Sequence, residues 1–280
     1  MNEDLQPIAE RPAGILPMQC YKQPSCELWN EDCLQTLSRI ETGSVDLMLQ
    51  DPPYGVTVCD WDKTPFWAEM WLEWERVLKP NGVWVFTATQ PFATDLIMSR
   101  RGFFKYELIW EKNQFTNFMN AKRMPMRNHE NVLIFYRQQP TFNPQLKKVH
   151  GRGKSDNTKS TKIHNITGDA SKTYSNKRQP GLGMSGTVIF IPGEIESYNS
   201  SNGSQNRHPS QKPVDLMRYL IRMYSNENDL VFDGYSGSGT TAAACLKEKR
   251  RFIGSELNKE YFDLSVKRLE QIRSKPEFGF

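Results

Sequence analysis

The 280-residue chain has five cysteines (Cys20, Cys26, Cys33, Cys59 and Cys245), and no two of them form a CxxC pair. An odd, unpaired set argues against a disulfide framework and against a zinc site, so no metal is expected. Reduced thiols in a reducing compartment follow. No apolar run approaches the roughly 18 residues of a membrane span. The polar start MNEDLQPIAERPAG lacks the basic-then-apolar order of a secretion signal, so the expectation is a cytoplasmic protein with no membrane contact. No internal repeat is present. The sequence also lacks a phosphate-cradling GxxxxGK[ST], and its one glycine-rich turn does not follow the dinucleotide order GxGxxG.

What is present is an ordinary globular composition, 38% hydrophobic, with a modest net charge of +4. That charge is unevenly spread. Residues 147–178 hold nine basic side chains (Lys147, Lys148, Arg152, Lys154, Lys159, Lys162, Lys172, Lys177 and Arg178) against Asp156 and Asp169. This local +7 leaves −3 for the rest of the chain. The window has only five apolar residues among 32, too few to bury much surface alone. By itself it reads equally as a solvated loop or as a polyanion contact.

On either side, short apolar runs alternate with helical spacing. CELWN (26–30), VDLMLQ (45–50), GVWVFTA (82–88, after a turn at Pro80-Asn81-Gly82), YELIW (106–110), NVLIFY (131–136), DLVF (229–232) and RFIGS (251–255) read as seven strands. Helices are expected over 65–78, 213–224, 240–249 and 259–273. Alternating strands and helices predict an α/β fold, a mostly parallel seven-stranded sheet with helices on both faces. Residues 1–25, with Pro7, Pro12 and Pro17, read as a loosely attached arm.

Three segments carry chemistry. Asp51-Pro52-Pro53-Tyr54 follows the strand VDLMLQ directly, and ligands of open α/β sheets bind beyond the carboxyl ends of strands. The prolines stiffen the turn, so the acceptors of Asp51 and Pro52 and the Tyr54 ring suit a planar group bearing an NH2. The second segment is Phe232-Asp233-Gly234-Tyr235-Ser236-Gly237-Ser238-Gly239-Thr240, where glycines let backbone approach a ligand and Thr240 is placed to cap a helix. Glu256, at the end of the next strand, is placed to accept hydrogen bonds from ribose hydroxyls. The third is His208-Pro209-Ser210-Gln211-Lys212-Pro213 before a helix, where Ser210, Lys212 and helix amides can hold a small carboxylate. Each segment also has a plain structural reading as a turn, a helix cap or a helix start.

Together these segments resemble the amino-group DNA methyltransferases, which use S-adenosylmethionine to methylate adenine N6 or cytosine N4. The resemblance spans roughly residues 26–272. It implies that Asp51, Pro52, Pro53 and Tyr54 are the catalytic motif. It also implies that Asp32, Cys33, His208, Ser210, Lys212, Phe232, Asp233, Gly234, Ser236, Gly237, Ser238, Gly239, Thr240 and Glu256 hold the cofactor. Asn128-His129-Glu130 is similar to a segment near the target-base pocket. The catalytic motif precedes the cofactor loop, as in the family's beta group, so a Rossmann-like methyltransferase fold with circularly permuted motif order is implied. One departure is Asp233-Gly234-Tyr235, where members commonly have Asp-Pro-Phe.

The implied organisation is a catalytic half (26–137), a basic target-recognition insertion (138–207) and a cofactor half (208–280). Asp at the head of the motif favours adenine N6. Cytosine N4, RNA or protein amides, and a DNA-binding protein with weakened catalysis are the alternatives. The implied partner is double-stranded DNA, the implied source a bacterium or phage, and a homodimer is one assembly the group adopts.

If the nine basic residues of the insertion meet phosphates, binding to duplex DNA weakens steeply with salt. Each contact adds about 0.9 to the slope of log affinity against log salt. A titration between low and high salt measures it, and a flat response would remove the insertion from the DNA interface.

Overall fold

The computed structural model describes residues 19–55, 67–116, 118–148, 182–184, 186–192 and 211–274. The elements in chain order are β1 (Gln19–Gln23), β2 (Cys26–Asn30), α1 (Cys33–Arg39), β3 (Val45–Gln50), α2 (Trp67–Val77), β4 (Leu78–Ala88), α3 (Phe92–Ser99), β5 (Phe104–Thr116) and β6 (Arg127–Tyr136). They continue with β7 (Leu146–Lys148), β8 (Leu182–Met184), β9 (Val188–Phe190), α4 (Val214–Tyr224), β10 (Leu230–Asp233), α5 (Thr240–Lys247), β11 (Arg251–Ser255) and α6 (Lys259–Arg273).

The main sheet has the order β1-β2-β11-β10-β3-β4-β6-β5-β9. It is nine strands wide rather than seven, because a strand is added at each edge. At one edge Gln19–Gln23, read above as part of the arm, folds back antiparallel onto β2. At the other, β9 pairs parallel with β5. The seven strands between are parallel except for β6, which is antiparallel to both β4 and β5. The α/β architecture expected from the pattern of runs is therefore the one observed.

Two apolar cores flank the sheet. One face carries α4, α5 and α6 over Leu47, Val85, Val132, Val231 and Phe252. The other carries α1, α2 and α3 over Met48, Trp84, Phe86, Phe135 and Phe232. Alternate residues of a strand serve opposite faces, so β3 sends Leu47 and Leu49 to the first core and Met48 to the second, while Val45, before the register shift, also faces the second. The helical spacing read over 65–78 is real for Trp67–Val77, whose Met70, Trp71, Trp74 and Val77 are buried. Its last residue, Leu78, already starts β4 and pairs with Val45. The turn read at Pro80-Asn81-Gly82 survives as a bulge within β4, since pairing resumes at Leu47 with Val83. Among the described residues no helix is long and apolar enough to cross a membrane.

The strand order reverses between β3 and β10. From β3 the chain moves through α2 to β4 on one side; from β10 it moves through α5 to β11 on the other. The loops leaving these two neighbours diverge, and a crevice opens between them. The seam is short, with Val231 opposite Leu47 and Phe232 opposite Met48. Side chains extend it at both ends. Asp46 Oδ2 accepts from the Leu230 backbone N–H (2.9 Å) while Oδ1 pairs with Lys79 (2.6 Å). At the carboxyl end the buried Gln50 donates through Nε2 to the Phe232 carbonyl (2.8 Å) and accepts through Oε1 from the Gly234 N–H (3.0 Å).

Gln50→Leu leaves two buried backbone groups without partners, each worth about 1–3 kcal/mol. Urea unfolding should therefore show a loss of about 2–6 kcal/mol. A loss below about 0.5 kcal/mol, the scale of an ordinary surface substitution, would mean that the seam does not need the clamp.

Candidate active site

Asp51 is the first residue beyond β3, and its carboxylate is the hub of the crevice. Three donors converge on it. The Tyr54 hydroxyl lies 2.8 Å from Oδ1, and the Thr87 hydroxyl donates to the same oxygen. Lys212 Nζ is 2.8 Å from both carboxylate oxygens. Tyr54 and Thr87 are also 3.0 Å apart, closing a triangle of hydroxyls on one carboxylate oxygen. The Tyr54 ring rests on Phe92, with centroids 5.0 Å apart, and Lys212 Nζ sits 5.5 Å from its centre. Pro52 is buried, which seats the stiff turn against the sheet.

Lys212 is a buried ammonium, and its partners explain how it is tolerated. Burial would lower its proton affinity, but Asp51, Tyr54 and Glu130 outweigh that and hold its pKa well above the ordinary value. Glu130 Oε2 stands 3.6 Å from Lys212, and Glu130 Oε1 accepts from Lys112 at 2.7 Å. The charges thus alternate along a row, Asp51, Lys212, Glu130 and Lys112. Burial, and then the neighbouring Asp51 charge, push the Tyr54 phenol well above its usual range, so it remains a hydrogen-bond donor at neutral pH.

The glycine turn after β10 forms the other wall. Asp233, buried, accepts from the Tyr235 N–H at 2.9 Å. Burial pushes its carboxyl up to about 7. Glu256 Oε2 accepts from the Gly237 N–H and Oε1 from the Asn258 N–H, both at 2.7 Å. It too is pushed up to about 7, by burial. Two glycines are dictated by their surroundings. A Cβ on Gly234 would lie 3.0 Å from Cys33 Cβ and 3.3 Å from Gln50 Oε1. Gly239 has φ +75° and a Cβ there would press on Ser265 at 3.0 Å.

The structure sorts the residues expected from sequence. Asp51, Tyr54 and Lys212 come together at the end of β3, and Asp233, Ser236, Gly237 and Glu256 at the ends of β10 and β11. Asp32 is the exposed N-cap of α1, accepting from the Leu34 N–H at 2.9 Å. Four placements differ from the expectation. Lys212, read as a holder of a small carboxylate, gives its ammonium to Asp51, because a buried cation needs the nearest fixed anion. Phe232 is fully buried in the core, and only its carbonyl serves the site, through Gln50. Cys33 is buried against Met70, its thiol pushed up to about 12 by burial. Thr240 is the first residue of α5 and not its cap; Gly239 holds the cap position, since only it adopts the left-handed conformation there.

His208, Ser210, Arg152, Lys154, Lys159, Lys162, Lys172, Lys177 and Arg178 lie outside the described residues. Lys147 and Lys148 are in β7, which pairs with β8 in a separate two-stranded ribbon. Sequence reading missed Gln50, Thr87, Phe92 and Lys112. Gln50 alone had a signal, as a polar residue ending a buried run next to Asp51. The others arrive from strands and helices distant in the chain, Thr87 at Asp51, Phe92 at the Tyr54 ring and Lys112 at Glu130.

A family model described as DNA methylase matches residues 45–267. The type II methyltransferase M1.MboII of Moraxella bovis is 29% identical over 245 residues, covering 82% of this chain and 91% of that protein. The DNA adenine methyltransferase YhdJ of Escherichia coli is 28% identical over 254 residues, covering 85% and 81%. Among solved structures, the M1.HpyAVI complex with SAM aligns with a TM-score of 0.55 at 23% identity, covering 87% of this chain and 98% of that one. The cytosine-N4-specific PvuII DNA methyltransferase aligns with a TM-score of 0.61 at 18% identity, covering 90% and 91%. These structures share the methyltransferase fold with this chain.

The two raised carboxyls make stability depend on pH. Asp233 and Glu256 titrate near 7 when folded against ordinary values of 3.8 and 4.5. The folded state therefore keeps protons that the unfolded chain releases, and this contribution is lost as pH rises from about 4 to 7. The urea midpoint of Glu256→Gln should fall less between pH 5 and 7.5 than that of the native protein. Parallel pH curves for the two would contradict the assignment.

Proposed function

The chain belongs to the N6/N4 DNA methylase family, and from that membership we propose that it transfers a methyl group from S-adenosylmethionine to adenine N6 in double-stranded DNA. The observation that carries the reading is a carboxylate at the switch point, Asp51, fixed by Thr87 and Lys212 beside the Tyr54 ring. The relatives named above are bacterial, which supports a bacterial enzyme working in the cytoplasm on duplex DNA.

The residues around the β10 turn suit this cofactor. Ser238 Oγ is buried without a partner among the described residues, and a Cβ on Gly237 would meet nothing within 4 Å. An unpaired hydroxyl, open backbone and the carboxyls of Asp233 and Glu256 match the hydroxyls of a ribose and the ammonium of an amino acid. Glu256 accepts backbone N–H groups at both oxygens, which leaves acceptor capacity for a ligand hydroxyl. Asp32 and Cys33, at the start of α1, border the same loop. His208 and Ser210 are assigned to the amino-acid end. When bound, S-adenosylmethionine supplies an electrophilic methyl group on its sulfonium.

The exocyclic amine is a weak nucleophile, because its lone pair is delocalised into the ring. Asp51 and the Pro52 carbonyl accept its two hydrogens and turn the lone pair toward the methyl group, an effect of alignment. Thr87 and Lys212 hold the Asp51 carboxylate in one orientation, so little is lost in ordering it at the moment of reaction. The Tyr54 hydroxyl occupies an acceptor site on Asp51 Oδ1, and the incoming amine replaces it there. The Tyr54 ring stacks on the base, which has left the helix at a cost of a few kcal/mol. After transfer the nitrogen loses a proton to Asp51 or to water.

Adenine is favoured over cytosine N4 by Asp at the head of the catalytic motif. Incubation with methyl-tritiated S-adenosylmethionine and unmethylated genomic DNA, then digestion to nucleosides, tests the reading. Label is expected in N6-methyldeoxyadenosine; label in N4-methyldeoxycytidine would overturn the choice of base, and label only in RNA or protein the choice of DNA. Asp51→Ala should lose at least about 100-fold in turnover while still binding the cofactor. Tyr54→Phe keeps the stacking face and should stay within a few-fold of native activity. Tyr54→Ala should lose about 10- to 100-fold, the equivalent of about 1–3 kcal/mol of stacking.

A further inference from the structure

The longest hairpin of the sheet ends in an exposed apolar tip. β5 and β6 run on past the active site, where Glu111 pairs with His129 and, after a bulge, Thr116 pairs with Arg127. Arg127 is three residues beyond Glu130, so the strands extend about 10 Å past the row of charges at Asp51. The tip is a short 3-10 turn, Phe118–Asn120, closed by backbone bonds from Ala121 to Phe118 (3.1 Å) and from Arg123 to Asn120 (2.8 Å). Five large apolar side chains stand exposed on this hairpin: Phe115, Phe118, Met119, Met124 and Met126, with Met119 at 96% and Phe118 at 68%. Apolar side chains gathered this way mark a contact surface.

The charge around them names the partner. From Lys112 to His129 there is no Asp or Glu, while Lys122, Arg123 and Arg127 are exposed beside the apolar tip. A protein partner would meet a mixed surface; a polyanion with apolar gaps between stacked rings meets this one. The base of the hairpin reaches the site itself, through Glu130 beside Lys212.

We propose that the Phe118–Met119 tip is a wedge that enters duplex DNA beside the target nucleotide, with Lys122, Arg123 and Arg127 on the flanking phosphates. The proposal rests on the reading of the protein as a DNA methyltransferase. Apolar side chains inserted at a base step hold it unstacked, and here they hold the vacancy left by the base that enters the Asp51 pocket. The closed turn fixes the backbone that carries the two side chains before DNA arrives, which lowers the ordering cost of the complex.

The test compares the native protein with Phe118→Ser/Met119→Ser and with Lys122→Ala/Arg123→Ala, on unmethylated genomic duplex DNA with tritiated S-adenosylmethionine. All four positions are exposed, and thermal unfolding and cofactor binding are measured alongside. The apolar pair should lower kcat by about 10-fold or more, with the melting temperature, cofactor affinity and salt dependence of DNA binding unchanged. The basic pair should reduce the slope of log affinity against log salt by about 1.8, from two lost phosphate contacts. Native kcat in Phe118→Ser/Met119→Ser, or a loss confined to KM, would overturn the wedge. If the native protein labels no DNA, the methyltransferase reading falls and the wedge with it; label from the native protein with no effect of the tip removes the wedge alone.

Discussion

The site depends on a seam of two residue pairs. β3 and β10 are neighbours over only Val231–Leu47 and Phe232–Met48, yet they carry both halves of the chemistry at their ends. Parallel strands that diverge into opposite crossovers cannot remain paired beyond that point, and the divergence creates the crevice. Gln50 resolves the conflict. Its amide copies one more step of the ladder, donating to the Phe232 carbonyl and accepting from the Gly234 N–H. It thereby sets the distance between Asp51, its chain neighbour, and the glycine turn. Gly234 is part of the same fit, since a side chain there would displace Gln50 or Cys33.

Charge burial is the second constraint, and it couples distant parts of the chain. Lys212 arrives from the segment before α4, Thr87 from β4 and Glu130 from β6, and all meet at Asp51 or at its ammonium partner. A buried ammonium between two carboxylates is held by attraction on both sides; removal of either would leave an uncompensated charge. The arrangement gives the Asp51 carboxylate a fixed orientation. It also ties both ends of Tyr54, the hydroxyl to Asp51 and Thr87 and the ring to Phe92.

Much of the fold was legible because core strands buried on both faces are continuous apolar runs. VDLMLQ and RFIGS match β3 and β11 residue for residue, and 259–273 matches α6. The two edge strands were not legible. Gln19–Gln23 has only two apolar residues, side by side, and so shows neither a buried run nor an alternation, and Val188–Phe190 is three residues whose pairing with β5 depends on where the sheet ends. The long extension of β5 and β6 was likewise hidden, because its residues are polar or exposed and have no apolar partner to give them a period.

The sequence alone determined which residues carry reactive groups and on which strands they stand. Asp51 and the glycine turn each follow a buried run, and a run of that kind ends at the rim of a sheet by geometry. Only the tertiary structure decided who partners whom. Lys212 looked like an anion holder for a ligand and became the counter-ion of Asp51; Phe232 looked like a ligand contact and became core; the exposed basic and apolar tip at Phe118–Arg127 looked like nothing at all. Motifs report local order along the chain, whereas the charge neutralisation of a buried lysine and the closure of a strand seam are decided between segments more than a hundred residues apart.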